Sequence, residues 1–143
     1  MAAADLHRAA RAIALAARKL ERATGDLTLA QYRVLALVAG GDERASLLAE
    51  RLAVAKPTVT AVVDGLVERG FVSREAVEGD RRSLRLTVTE AGRAALADAE
   101  AAMAEALDQV LEVADDRAVV LKGLADLDAA MTTYYVNRLR TRA

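Results

Sequence analysis

A chain of 143 residues with 54% hydrophobic content is long enough for one domain with its own core, and its 3% aromatic content beside abundant Ala favours helix over sheet. A formal net charge of -1 excludes indiscriminate coating of nucleic acid by a polycation, so any DNA contact must come from a local basic patch. The lack of Cys excludes disulfides, thiolate metal sites, Cys nucleophiles and thiol redox sensing; no apolar run approaches bilayer thickness and no signal peptide opens the chain, which predicts a soluble cytoplasmic protein without membrane contact.

Leu6, Ala9, Ile13, Ala16 and Leu20 recur at steps of three and four, which predicts an amphipathic helix from Asp5 to about Arg22. Gly25 interrupts it. Thr28 and Gln31 have the spacing of a capping box, with Leu27 and Tyr32 placed as a hydrophobic staple, so a second helix is expected from there to about Ala39. Gly40-Gly41-Asp42 ends that helix, and Ser46 is placed to cap a short third one reaching Leu52. Val54-Ala55 then turns the chain into a fourth helix, opened by Pro57 and closed at Gly70.

After Gly70 the period changes. Phe71 to Glu75 reads as a strand, and Ser83 to Val88 alternates strictly, with Leu84, Leu86 and Val88 on one face. The loop expected between them is Val77-Glu78-Gly79-Asp80-Arg81-Arg82, and a lone hairpin of this kind needs a helical layer to pack on. Thr89 caps a long fifth helix running to about Val113, with Leu96, Ala99, Met103, Leu107 and Val110 at near-heptad spacing. Asp115 and Asp116 start a sixth, in which Val120, Leu124, Leu127, Met131 and Tyr134 continue the pattern toward a basic tail with Arg138, Arg140 and Arg142.

The fold class is thus mainly α with a small β-hairpin, and the informative stretch is Ser46 to Gly92: short helix, tight turn, longer helix, hairpin. A helix-turn-helix holds its second helix so that exposed side chains enter the major groove. Placing Val59, Val62, Val63 and Leu66 inside leaves Lys56, Pro57, Thr58, Thr60, Ala61 and Asp64 outside or at the edge, where Thr hydroxyls, Ala and the first helical turn can meet bases and phosphates. The competing reading is a helical hairpin with a solvated polar face. Arg81 and Arg82 at the expected hairpin tip, with Arg74 and Arg85 on its strands, form the densest basic cluster of the chain, suited to a minor groove; the competing reading is a solvated turn.

Leu48-Ala49-Glu50-Arg51-Leu52, Ala55-Lys56-Pro57-Thr58-Val59-Thr60, Val63-Asp64-Gly65-Leu66-Val67-Glu68-Arg69-Gly70-Phe71-Val72, Gly79-Asp80-Arg81-Arg82-Ser83 and Leu86-Thr87-Val88-Thr89-Glu90-Ala91-Gly92 together resemble the MarR (multiple antibiotic resistance regulator) family in order and spacing. The resemblance implies a winged helix-turn-helix lobe over 28–92, flanked by a helical dimerisation lobe from 1–27 and 93–143. It implies a homodimeric transcriptional repressor that binds double-stranded DNA at a pseudo-palindromic operator, with recognition helix 56–69 in the major groove and wing 74–85 in the minor groove. Carried over by position, Pro57, Thr58, Thr60 and Ala61 lie at the groove, Arg82 reaches into the minor groove, Asp80 braces the wing, and Asp64 stands where such proteins tether the wing arginine. Ser46, Lys56, Arg74 and Arg81 complete the expected DNA-facing set. Ala55 stands where the family often has a capping Ser or Asp, and Ala61 where an Arg is frequent.

Family members commonly release DNA on binding a small phenolic or anionic effector between the helical and winged lobes; the residues that would hold one are not legible here. With no Cys and a single His7, thiol and His-rich metal sensing are both unavailable in their usual form, and neither a cofactor nor a metal is expected. The chain also lacks a His- or Cys-based nucleophile pair and a phosphate-cradling Gly loop, so it is read as a non-enzyme with no catalytic residues. Asp115-Asp116 reads as a helix cap, not a carboxylate pair. The remaining alternative is a winged-helix module that binds another protein without specific DNA binding.

Overall fold

The computed structural model describes residues 2–41, 45–52 and 54–142, with the side chains of 45–47, 80–83, 139–140 and 142 outside the description. Six helices and one hairpin follow in chain order: α1 (Ala3–Ala23), α2 (Leu29–Ala39), α3 (Ala45–Leu52), α4 (Lys56–Glu68), β1 (Val72–Val77), β2 (Asp80–Val88), α5 (Glu90–Leu111) and α6 (Arg117–Arg142). They divide into two compact units, 1–107 and 108–143.

In the first unit the helix ends are set by the residues expected to set them. The Thr28 hydroxyl accepts from the Gln31 N–H at 3.1 Å while the Gln31 side chain accepts from the Thr28 N–H at 3.1 Å, closing the capping box of α2. α4 ends in a Schellman turn: Gly70 takes φ +75, its N–H donates to the Val67 carbonyl, and the Phe71 N–H donates to the Leu66 carbonyl. Thr89 caps α5, accepting from the Gly92 N–H at 3.0 Å and donating its own proton to the Gly70 carbonyl at 2.6 Å. That single hydroxyl ties the end of α4, the end of β2 and the start of α5 together.

Three helices and the base of the hairpin share one core. Val34, Leu35 and Val38 of α2, Leu48 and Leu52 of α3, Val59, Val63 and Leu66 of α4, and Val72, Leu86 and Val88 of the strands are buried in one cluster. α5 joins it through Leu96 and Ala99. Gly92 makes this docking possible, because a Cβ there would lie 2.1 Å from the Phe71 carbonyl oxygen and 2.9 Å from Val88 Cγ1. α1, by contrast, buries no residue and leaves Leu6, Ile13 and Leu15 exposed.

Some expectations are corrected. α3 begins at Ala45, so Ser46 falls inside the helix and not at its cap. The strands run further than alternation suggested: Val77 pairs with Asp80, so only Glu78-Gly79 remain as the turn, with Gly79 at φ +86. Arg81 and Arg82 therefore belong to β2, in a bulge where the register jumps from Ala76↔Leu84 to Val77↔Asp80. Leu84 is 47% exposed while Leu86 and Val88 on the same face are buried, because the helical layer ends beneath the base of the hairpin.

In the second unit α6 is capped by Asp116, whose carboxylate accepts from the Val119 N–H at 3.1 Å. Asp108 pairs with Arg117, and Lys122 with Asp126 at 2.9 Å. Val120, Leu124, Leu127, Met131 and Tyr134 form an exposed apolar stripe along α6. No helix among the described residues is long and apolar enough to cross a membrane.

Candidate nucleic-acid interface

The face of α4 follows from its buried residues. Val59, Val63 and Leu66 are 2%, 2% and 0% exposed and Val62 packs partly against the same core, which turns Lys56, Pro57, Thr58, Thr60, Ala61 and Asp64 outward, as the period required. Ala55 provides the N-cap in extended conformation but no capping hydrogen bond. The first turn offers fewer free donors than expected: Pro57 has no N–H, and those of Thr58 and Val59 both turn back on the Ala55 carbonyl at 3.0 and 3.2 Å. The Thr60 hydroxyl likewise donates to the Lys56 carbonyl at 3.0 Å.

Beside this face stands the hairpin, and its register divides the basic cluster. Arg74 pairs with Leu86 and so shares the face that packs on the helices, whereas Arg85 lies opposite Glu75 on the other face. From the inner face Arg74 reaches α4 and forms an ion pair with Asp64. A charge-assisted contact thus fixes the wing to the middle of α4. At the end of the helix, Arg69 donates to the Asp26 carbonyl at 2.9 Å and to Gln31 Oε1 at 3.3 Å, with its guanidinium 4.7 Å from the Phe71 ring centre. The middle of α4 and its C-terminal end are therefore tied to neighbouring elements.

Comparison with known proteins agrees with this arrangement. A sequence model of the MarR family matches residues 25–83, which contain α2 to α4 and most of the hairpin. A MarR-family transcriptional regulator from Rhodococcus sp. RHA1 has a similar crystal structure, with 26% identity over 92% of this chain and 96% of that one and a TM-score of 0.77. The lobe over 25–83 thus matches the MarR family, and the chain as a whole shares that family's fold. CouR from Rhodococcus jostii RHA1, solved bound to p-coumaroyl-CoA, is similar at 27% identity over 85% of this chain and 87% of that one, with a TM-score of 0.68. A MarR regulator from Methanosarcina mazei Go1 shares the fold, with 22% identity over 90% of this chain and 99% of that one and a TM-score of 0.74. None of the curated proteins compared with the chain matches its sequence.

MarR proteins are DNA-binding transcription regulators and not enzymes, and this chain has their mostly helical winged fold. Within that fold the expected DNA-facing residues of α4 share one exposed surface, and the described partner of Asp64 is Arg74. The side chains of Ser46, Asp80, Arg81 and Arg82 lie outside the described residues. Arg69 had no role assigned from sequence, although its place before the helix-ending Gly70 marked it as a C-cap. It also borders a cavity of ≈350 Å³ lined by Thr24, Leu27, Phe71, Ala95 and Asp98. Among the described residues no group of His, Cys, Asp or Glu is arranged to hold a metal ion.

Proposed function

We propose that this chain is a MarR-type homodimeric repressor that binds a pseudo-palindromic operator, with helix 56–69 in the major groove and wing 74–85 in the minor groove of each half-site. The single observation that carries this reading is the Asp64–Arg74 ion pair, which fixes an exposed recognition face and an adjoining β-ribbon as one surface. Lys56, Pro57, Thr58, Thr60 and Ala61 supply the helix contacts, Ser46 an adjoining one, and Arg74, Arg81 and Arg82 the charge of the wing, with Asp80 bracing it. The lobe spanning 28–92 does the binding, and 1–27 with 93–143 form the dimer.

Dimerisation is supported by the apolar stripe of α6 and the uncovered apolar residues of α1, which a single copy leaves in water. Twofold symmetry then demands an inverted repeat with half-sites about one helical turn apart. Release by a small molecule is the companion reading. It is supported by the CouR complex with p-coumaroyl-CoA and by the ≈350 Å³ cavity, where an occupant would touch Arg69, the residue that ties the end of α4 to the α1–α2 turn.

The test is fluorescence anisotropy of the full chain on DNA flanking its own gene at low and moderate salt, with light scattering for mass. A dimer that binds saturably and more weakly as salt rises is expected, since each phosphate contact releases a counterion. Failure to bind operator-like DNA at either salt would favour the protein-interaction module instead.

A further inference from the structure

Which bases the helix reads is constrained by what its exposed face lacks. Steps of three and four place Pro57, Thr60, Ala61 and Asp64 on one stripe opposite the buried Val59, Val63 and Leu66, with Lys56 and Thr58 on its flanks. The bidentate readers of the major groove are Arg or Lys for guanine and Asn or Gln for adenine, and the one such residue near the stripe, Lys56, lies on its flank. None stands on this stripe. Asp64 is engaged by Arg74, and Thr60 has given its only hydroxyl proton to the Lys56 carbonyl. While that bond holds, what Thr60 presents outward is a methyl group and acceptor lone pairs. The first two turns of the stripe therefore offer a proline ring, a methyl group and an alanine Cβ. The base feature complementary to these is the C5-methyl group of thymine.

Resting on the DNA-binding reading above, we propose that α4 reads its half-site through thymine methyl groups, with Pro57, Thr60 and Ala61 as the specificity-determining residues. The spacing limits how many are read. Side chains four apart on a helix stand about 5–6 Å from one another, against about 3.4 Å per base along a strand. Pro57 and Ala61 thus meet bases one or two steps apart, so two thymines per half-site are read this way. Lys56, on the flank, supplies charge to the backbone.

The experiment starts from duplexes selected by the full chain from a random-sequence pool. In the selected duplex each thymine is replaced in turn by deoxyuridine, which removes only the methyl group. Two thymines in each half-site are expected to lose about fourfold in affinity, the ~0.8 kcal/mol of one buried methyl group. Replacing either T·A pair by C·G should be partly reversed by 5-methylcytosine. Thr60→Ser, which removes the methyl and keeps the hydroxyl, should reduce the uracil penalty at one position, where Thr60 adds to the contact of Pro57 or Ala61, whereas Thr60→Val should retain it in full. Uracil duplexes that bind like the parent, or a half-site whose affinity falls when a central guanine becomes 7-deazaguanine, would overturn thymine reading alone. Failure to select any duplex would overturn it together with the DNA-binding reading.

Discussion

The guanidinium of Arg74, on the inner face of the wing's first strand, is ion-paired with the carboxylate of Asp64 in the middle of the recognition helix. The pair is part-exposed, 33% and 56% for the two side chains, so its worth to global stability is small, about 0–1 kcal/mol. Its leverage is geometric, since it fixes the angle between α4 and the hairpin.

Asp64→Ala should therefore weaken operator binding about five- to tenfold, a cost of about 1 kcal/mol, although it deletes a negative charge near DNA. The melting temperature should move little. Arg74→Ala should weaken binding as well, and a double-mutant cycle read by anisotropy should show that the two losses are not additive. Tighter binding by Asp64→Ala would mean that wing position does not limit affinity.

Gly92→Ala tests the docking of α5. The added Cβ would sit 2.1 Å from the Phe71 carbonyl oxygen, and this neighbour is backbone, with no rotamer by which to escape. The first turn of α5 must shift, breaking the Thr89 cap that also binds the Gly70 carbonyl. A loss of about 2–3 kcal/mol in urea unfolding is expected, the upper part of the range for overpacking.

Ala55→Ser should do the reverse. The N-cap of α4 already has extended geometry but no side-chain acceptor. A serine oxygen can accept from the Thr58 N–H, adding about 0.5–1 kcal/mol in denaturant unfolding. Any change in DNA affinity should be small, as Ala55 is not on the reading stripe.

These cases show which parts of the molecule local sequence could disclose. The Thr28–Gln31 box, Pro57, Gly70 and Thr89 act within a few residues of themselves, and their chemistry names the helix ends directly. The exposed face of α4 was legible for the same reason, because burial of Val59, Val63 and Leu66 follows from helical period. The wing was less so. Asp80-Arg81-Arg82 carries no apolar alternation to mark a strand, and the bulge that absorbs 81–83 has no local signature. The Asp64–Arg74 pair and the approach of Gly92 to Phe71 depend on how elements pack, which no spacing along the chain encodes.

Tyr32 gives a pH dependence with a definite sign. Burial, and secondarily the charge of Glu100, raise its phenol above the ordinary value of 10.0. The folded state thus favours the neutral phenol, a contribution fully present below 10.0 and lost as pH rises through the higher folded value. Stability should be insensitive to this group between neutrality and about pH 9, then fall. Tyr32→Phe should blunt the alkaline fall in urea midpoints measured across that range; an unchanged fall would assign it to other groups.

The stripe on α6 makes the strongest claim about assembly. Val120, Leu124, Leu127, Met131 and Tyr134 recur at steps of four, three, four and three, yet each is 38–52% exposed in a single copy. A seam of this period is buried by packing against a second helix, and a carboxylate placed in it must be desolvated without a partner. Leu127→Glu should therefore shift the protein from dimer to monomer at micromolar concentration by light scattering. Operator affinity should fall far more than any lost DNA contact explains, because two half-sites held in one dimer are bound at high effective concentration and two separate monomers are not. Ala129→Glu is the control: it lies on the opposite side of α6, also exposed, and should leave mass and affinity unchanged. A Leu127→Glu chain that stays dimeric with full operator affinity would remove this stripe from the interface and leave α1 to hold the two copies together.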